Sequence, residues 1–431
     1  MKHTGKRFPL HFQILIAMVA GVFFGVASVY FSIESFTFAW VKPFGTIFIK
    51  SLKLIAVPLV LSSIISGIAS VSDLGSLSKI GLRTISLYLF TTVVAVSIGL
   101  FVVNLIQPWK GFDEQAKTDL LGQYAGKATT IQQVDNKSPL HFIVDMVPSN
   151  IVQAMTKNGN MLQIIVFAVL FGIALVMVAK PKAQPVLKFF EGLNEVVLKM
   201  VNIIMYLAPI GTFALLTTLI VEVGEGDINK IVLLLKVMGK YCITVIVALA
   251  VLAFLFYPIL LYLLTRFSPK KFFKGIAPAQ ALAFSTSSSA ATLPVTIQCA
   301  EENLKASKEV VGFVLPLGAT INMDGTSCYQ AVAAVFIANV LGFDLSLSAQ
   351  LSIVLTATLA SIGSAAVPGA GMVMLAAVLA HLAVPVEGIA LILGVDRLLD
   401  MCRTVVNVTG DLSITVIMDK VFQKLKKKQK I

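Results

Sequence analysis

Long apolar runs dominate this chain, and their length says more than their periodicity. Eight stretches, at 8–31, 39–71, 81–106, 161–179, 186–221, 231–264, 310–341 and 386–418, approach or exceed the roughly 20 residues that a helix needs to cross a hydrocarbon layer about 30 Å thick. In lipid, each backbone N–H and C=O must be satisfied inside its own segment, so these runs predict helices and an all-α membrane protein with eight transmembrane spans. The first stretch exceeds the apolar core of a secretory leader and lacks a small-residue cleavage site, so it is expected to remain as an anchor.

Two further apolar stretches carry small and polar residues at their midpoints. The first, 277–300, contains Ser285-Thr286-Ser287-Ser288-Ser289-Ala290-Ala291-Thr292-Leu293-Pro294. The second, 350–382, contains Ser361-Ile362-Gly363-Ser364-Ala365-Ala366-Val367-Pro368-Gly369-Ala370-Gly371. Serine, glycine and proline runs of this kind weaken or break a helix, so each stretch predicts a re-entrant helical hairpin. Both share Ser-Ala-Ala followed closely by proline, and each precedes a full-length helix. They enter from opposite sides in the predicted topology and form a candidate inverted repeat, and paired interruptions of this kind mark transporter binding sites. Two polar breaks, 107–140 and 224–227, are expected as outer loops.

Composition narrows the solvent to lipid. Of 431 residues, 57% are hydrophobic and only 13% charged, too apolar for an ordinary soluble surface. The formal net charge of +12 does not describe a nucleic-acid face, because the basic residues cluster beside spans. Lys2, Lys6 and Arg7 open the chain, Arg266, Lys270, Lys271 and Lys274 follow the sixth span, and Lys424, Lys426, Lys427, Lys428 and Lys430 close it. With an even number of spans, the positive-inside rule places all three groups, and both termini, on the cytoplasmic side of the cell membrane. Cys242, Cys299, Cys328 and Cys402 are scattered without metal-type spacing and read as packing residues.

The candidate chemistry lies on the last span. Asp396, Asp400, Arg403, Asn407 and Asp411 fall within roughly 80° of arc at about 100° per residue, one face of one helix. Each ionised group at mid-membrane costs about 2.5–3.5 kcal/mol on insertion scales, so this face must turn into protein and find counter-charges. Arg403 can serve as an ion-pair partner for an aspartate, or present its two-pronged donor to a substrate carboxylate. Asp400 is then placed for a substrate ammonium and Asn407 for a second carboxylate. In the preceding span, Asn322-Met323-Asp324-Gly325-Thr326 predicts a local helix break whose freed carbonyls can ligate a hard cation. Asp324, Asp396, Asp400 and Asp411 against Arg403 leave a formal excess of three negative charges. Bound cations such as sodium, or protonation of an aspartate, would compensate.

These motifs, together with Ala56-Val57-Pro58-Leu59 in the second span, resemble the sodium-coupled dicarboxylate and acidic amino-acid symporters, the family that includes the excitatory amino-acid transporters. The resemblance covers nearly the whole chain. It implies a homotrimer in membrane lipid, with a static scaffold and a transport domain that moves like an elevator. Scaffold helices would occupy 1–80 and 143–222, and 107–142 would be the outer loop. The transport domain would comprise 81–106 and 223–431, with hairpins at 275–303 and 348–384. It also implies a substrate site of Arg403, Asp400, Asn407, Thr326, Ser288, Ser289, Met323, Val367, Gly371 and Thr404, with Arg403 and Thr326 on the side-chain carboxylate of L-aspartate or L-glutamate. Three Na+ sites are implied: Gly318, Asn322, Asn407 and Asp411; Thr320, Ser361, Ile362 and Ser364; and Tyr88, Thr91, Thr92, Asn322 and Asp324. The chain departs from the family at Ser287 and Met401, where many relatives carry an arginine in one place or the other, and at Ser364, where a threonine is common; Arg397 lies one turn before Asp400.

Rival readings are weaker. A C4-dicarboxylate has no ammonium for Asp400, which favours an acidic amino acid. An intramembrane aspartyl protease needs two carboxylates sharing a proton, which a fixed guanidinium opposes. A pure channel is the remaining rival, which accumulation of substrate against a gradient would exclude. Cation-coupled symport of glutamate or aspartate, without enzymatic chemistry or nucleic-acid partners, is therefore the expected function, with proton coupling as the alternative to sodium.

Overall fold

The computed structural model describes residues 10–70, 78–110, 144, 147–156, 160–224, 228–362 and 369–429. Ser364, Val367, the 224–227 break beyond Gly224, and most of the 107–142 loop lie outside them. Every regular element among the described residues is helical.

The helices are α1 (Leu10–Tyr30), α2 (Lys42–Ser70), α3 (Ser78–Ile106), α4 (Met161–Met177), α5 (Lys180–Met205), α6 (Ala208–Gly224) and α7 (Ile228–Ala250). There follow α8 (Tyr257–Thr265), α9 (Pro269–Thr286), α10 (Ser289–Gln298), α11 (Lys308–Ile321), α12 (Asp324–Val340), α13 (Leu347–Ile362), α14 (Ala370–His381) and α15 (Ala390–Gln429). Phe12–Tyr30, Gly81–Ile106 and Lys230–Thr265 are long and apolar enough to cross a membrane unbroken. Phe23, Leu54, Phe101 and Phe254 stand exposed on these helices and on α2, as side chains facing lipid would.

The expected span at 186–221 is not one straight helix. Lys180–Met205 and Ala208–Glu222 meet at a 54° bend. Pro209 explains it, since proline has no N–H for the i−4 carbonyl, and its ring displaces the Met205 carbonyl from the ladder. Between α7 and α8 the chain stays helical but passes through a π-helical turn, Val251–Phe256.

Each of the two interrupted stretches is divided into two helices that pack against each other. Helix α9 ends at Ser287, whose φ of 51° is left-handed, and Ser288 restarts the chain by accepting the Ala291 N–H at 3.2 Å, an N-cap that begins α10. Helices α9 and α10 pack against each other. Helix α14 begins after Gly369, whose φ is +82°, a conformation that glycine adopts without a Cβ penalty. It packs against α13. The third interruption falls at Asn322 and Met323, between α11 and α12, where the backbone leaves the helical region. This matches the break expected of Asn-Met-Asp-Gly.

Helix α15 is the hub, packing against α6, α7, α8, α9, α11 and α12. Helices α1 and α6 pair along their lengths, α2 lies against α4 and α5, and α3 lies against α12. Contact between α3 and α12 depends on Gly99, where a Cβ would sit 2.6 Å from the Cys328 carbonyl oxygen and 3.2 Å from Ala331 Cβ. Gly239, on α7, faces open space. We therefore expect Gly99→Ala to destabilise the protein by about 1–3 kcal/mol through overpacking. Gly239→Ala should be neutral or stabilising by up to about 1 kcal/mol. Denaturant titrations of both variants in one detergent check the contrast.

Candidate functional site

The polar face of α15 turns inward, as its cost in lipid requires. Asp396, Arg397, Asp400, Arg403, Thr404, Asn407 and Asp411 are all buried. Arg403 is fully buried, with its guanidinium 3.8 Å above the Tyr329 ring of α12, a cation–π contact. Its Nη2 donates to Asp400 Oδ1 at 2.8 Å, and its Nη1 lies 3.1 Å from Asp396 Oδ1 without hydrogen-bond alignment. Nη1 and Nε therefore keep donor capacity with no acceptor among the described residues.

Glycine makes room beside that free edge. A Cβ on Gly371 of α14 would lie 3.3 Å from Arg403 Nη1 and 3.1 Å from Thr326 Cγ2. Arg403, Gly371 and Thr326, from three separate helices, thus meet at one point. Asn407 adds its amide, donating from Nδ2 to Thr326 Oγ1 at 3.2 Å and to Met323 Sδ at 3.3 Å, while its Oδ1 accepts the Gly325 N–H at 2.8 Å. That last bond satisfies one of the orphan donors of the first turn of α12. The Thr404 hydroxyl donates back to the Asp400 carbonyl at 2.9 Å, within its own helix. Ser288 and Ser289 are buried at the start of α10, which packs against α15.

One turn deeper lies a set of hard oxygens. Asp324, the first residue of α12, accepts from Thr92 Oγ1 and from the Tyr257 hydroxyl, each at 2.6 Å. Thr91 and Thr92 also donate to the Tyr88 carbonyl at 3.0 and 2.9 Å. Tyr88 in turn donates to the Val314 carbonyl at 2.9 Å. Asn322 donates from Nδ2 to Asp411 Oδ1 at 2.9 Å, which leaves its buried Oδ1 without a partner among the described residues. A Cβ on Gly318 would run into both the Tyr88 hydroxyl and Asp411, so two of the expected cation sets adjoin through that glycine. The third set is partly described. Ser361 donates to the Ile321 carbonyl at 3.1 Å and accepts the Met323 N–H at 3.2 Å, tying the end of α13 to the helix break. Ile362 closes α13, and Thr320 is exposed, its hydroxyl donating to the Leu317 carbonyl at 2.9 Å.

Three participants went unassigned from sequence. Tyr329 carries the Arg403 guanidinium, Tyr257 caps Asp324, and Arg397 is a second buried guanidinium, 3.5 Å from Asp400 Oδ2. Arg397 corrects the charge count: the site aspartates Asp324, Asp396, Asp400 and Asp411 face two guanidiniums, a formal excess of two negative charges rather than three, while the remaining buried aspartate, Asp419, bonds Ser307 and Gln423 elsewhere on the helix. Among the described residues no three His, Cys, Asp or Glu side chains cluster as a metal site. The available ligands are carbonyl, amide, hydroxyl and single carboxylate oxygens, a donor set that fits hard cations.

Comparison with known proteins agrees with this arrangement. The profile of the sodium:dicarboxylate symporter family matches residues 10–421. The proton/sodium-glutamate symport protein of Geobacillus stearothermophilus is 36% identical over 96% of this chain and 95% of its own length. That of Bacillus subtilis is 36% identical over 96% of this chain and 93% of its own. Human excitatory amino acid transporter 3 is 35% identical over 97% of this chain and 87% of its own. A buried charged stripe, broken helices around it and these matches along nearly the full length lead to one conclusion: the chain is a multi-pass membrane protein of the sodium:dicarboxylate symporter family, a family of transporters and not of enzymes.

Proposed function

We propose that the protein is a sodium-coupled secondary symporter for acidic amino acids, L-glutamate and L-aspartate. The observation that carries this reading is the meeting of the free edge of Arg403 with Gly371, Thr326 and the Asn407 amide. A substrate side-chain carboxylate takes the planar donors of Arg403, with Thr326 beside it, while Asp400 receives the ammonium and Asn407 the main carboxylate. Met323, Thr404, Ser288, Ser289 and Gly371 complete the enclosure, to which the resemblance adds Val367, outside the described residues. Charge arithmetic supports cation coupling. Four aspartates and two arginines leave two negative charges, an acidic amino acid adds one more, and cations must enter with it. The orphaned Asn322 Oδ1, the Asp411 and Asp324 carboxylates and the carbonyls near the helix break would hold Na+.

The architecture of this reading has eight transmembrane helices, two re-entrant hairpins and an inverted repeat. Scaffold helices lie at 1–80 and 143–222, and an elevator-like transport domain comprises 81–106 and 223–431. The chain assembles as a homotrimer with both termini in the cytoplasm. The α13–α14 pair serves as the outer gate in this reading, as the family resemblance implies.

Calorimetry on the purified protein tests the reading: aspartate and glutamate should bind only with sodium present. Binding that follows pH and ignores sodium would establish proton coupling instead. Arg403→Ala should abolish binding, and Arg403→Lys, which keeps the charge but loses the planar fork, should weaken it by about 10- to 100-fold. Asp324→Asn removes one cation-attracting charge and should raise the sodium concentration needed for half-maximal binding by about tenfold or more, read from sodium titrations at fixed aspartate.

A further inference from the structure

Arg397 enters the transport reading so far only as a charge in the count, with no contact to the substrate. It sits on α15 one turn before Asp400 and is 8% exposed, with Nη1 3.5 Å from Asp400 Oδ2. Neither Nη1 nor Nε finds an acceptor among the described residues. Asp400 is already engaged at both oxygens. Oδ1 accepts from Arg403 Nη2 at 2.8 Å, and Oδ2 accepts the Gly369 N–H at 3.3 Å. The small cavity beside them is bordered by Asp396, Arg397 and Asp400 from α15 and by Gly369 from the start of α14, with Met205 and Thr212 across from them. Its remaining lining residues are apolar, so the charges around Asp400 are those of Asp396, Arg397 and Arg403.

An ammonium that uses Asp400 must therefore approach a carboxylate that already has a guanidinium at hydrogen-bond distance from Oδ1 and a second guanidinium 3.5 Å from Oδ2. In a buried site such like-charge proximity is poorly screened. A ligand with the same two carboxylates and no ammonium escapes that repulsion, and the unsatisfied N–H groups of Arg397 attract it. We propose that Arg397 is a specificity-determining residue that acts through Asp400, narrowing the advantage of an acidic amino acid over the corresponding dicarboxylate that lacks the amine. The inference rests on the acidic amino-acid reading above and adds to it a second guanidinium that sets substrate selectivity.

L-Aspartate and succinate differ only by the amine, which makes their affinity ratio the readout. Both are titrated calorimetrically in saturating sodium against the wild-type protein, Arg397→Gln and Arg397→Lys. The Gln variant keeps most of the side-chain volume without the charge. Its preference for aspartate over succinate should rise by about tenfold, from tighter aspartate binding, weaker succinate binding or both. The Lys variant should stay within about threefold of the wild-type ratio. An unmoved or falling ratio in Arg397→Gln overturns the inference, as does an equal rise in Arg397→Lys, which would trace the effect to packing and not to charge. If Arg397→Gln does not fold, the Lys variant alone decides: a ratio raised by tenfold or more overturns the inference, and a ratio held near wild type supports it. Wild-type protein that binds neither ligand overturns the functional reading and this inference together, whereas binding with an unresponsive ratio overturns only the inference.

Discussion

The structure depends on burying a guanidinium inside a membrane protein. Arg403 is fully buried, stacked on Tyr329 and held between Asp396 and Asp400 of its own helix. Burying such a charge without partners costs several kcal/mol, and removing one partner from a buried pair leaves the other uncompensated. The surrounding helices are arranged accordingly. α12 supplies the aromatic face, α14 approaches with a glycine that leaves the Nη1 edge uncovered, and the break before α12 brings Asn407 into contact with a helix N-terminus. The guanidinium is thus neutralised on one edge, while Nη1 and Nε keep donors without an acceptor among the described residues.

The second polar centre follows a different rule. Around Asp324 and Asp411 the hydrogen-bond partners are neutral: the Tyr257 phenol and the Thr92 hydroxyl on Asp324, and the Asn322 amide on Asp411. Neutral donors stabilise a carboxylate without cancelling its charge. The helix break at Asn322 and Met323 connects the centres, because Asn322 faces Asp411 while Met323 touches Asn407. The two centres are thus joined within two residues of chain.

Much of this was legible in the sequence, and what was hidden had physical causes. Serine, glycine and proline runs marked two helix interruptions, and Asn-Met-Asp-Gly marked the third, because these residues act on the local backbone. The four- and three-residue spacing of the α15 stripe marked its buried face, because insertion cost acts on every charge alike. Arg397 escaped assignment because it lies about 40° beyond the edge of that stripe at 100° per residue, and only its long side chain returns it to Asp400. The pairing of Arg403 with Asp396 as well as Asp400 depends on a rotamer, which no spacing fixes. The bend before Pro209 was readable in principle but was masked by the apolar continuity of the run around it.

Tyr257 illustrates a dependence that crosses helix geometry. It follows directly on the π-helical turn Val251–Phe256, where the hydrogen-bond ladder takes a wider step. A regular α-helix through the same residues would present a different azimuth at position 257, and the phenol would no longer point along the line to Asp324. The wide turn works as a phase shifter between two rigid rods. Whatever tightens or relaxes it retunes an acceptor on a neighbouring helix, although none of its own six side chains touches that carboxylate through a hydrogen bond.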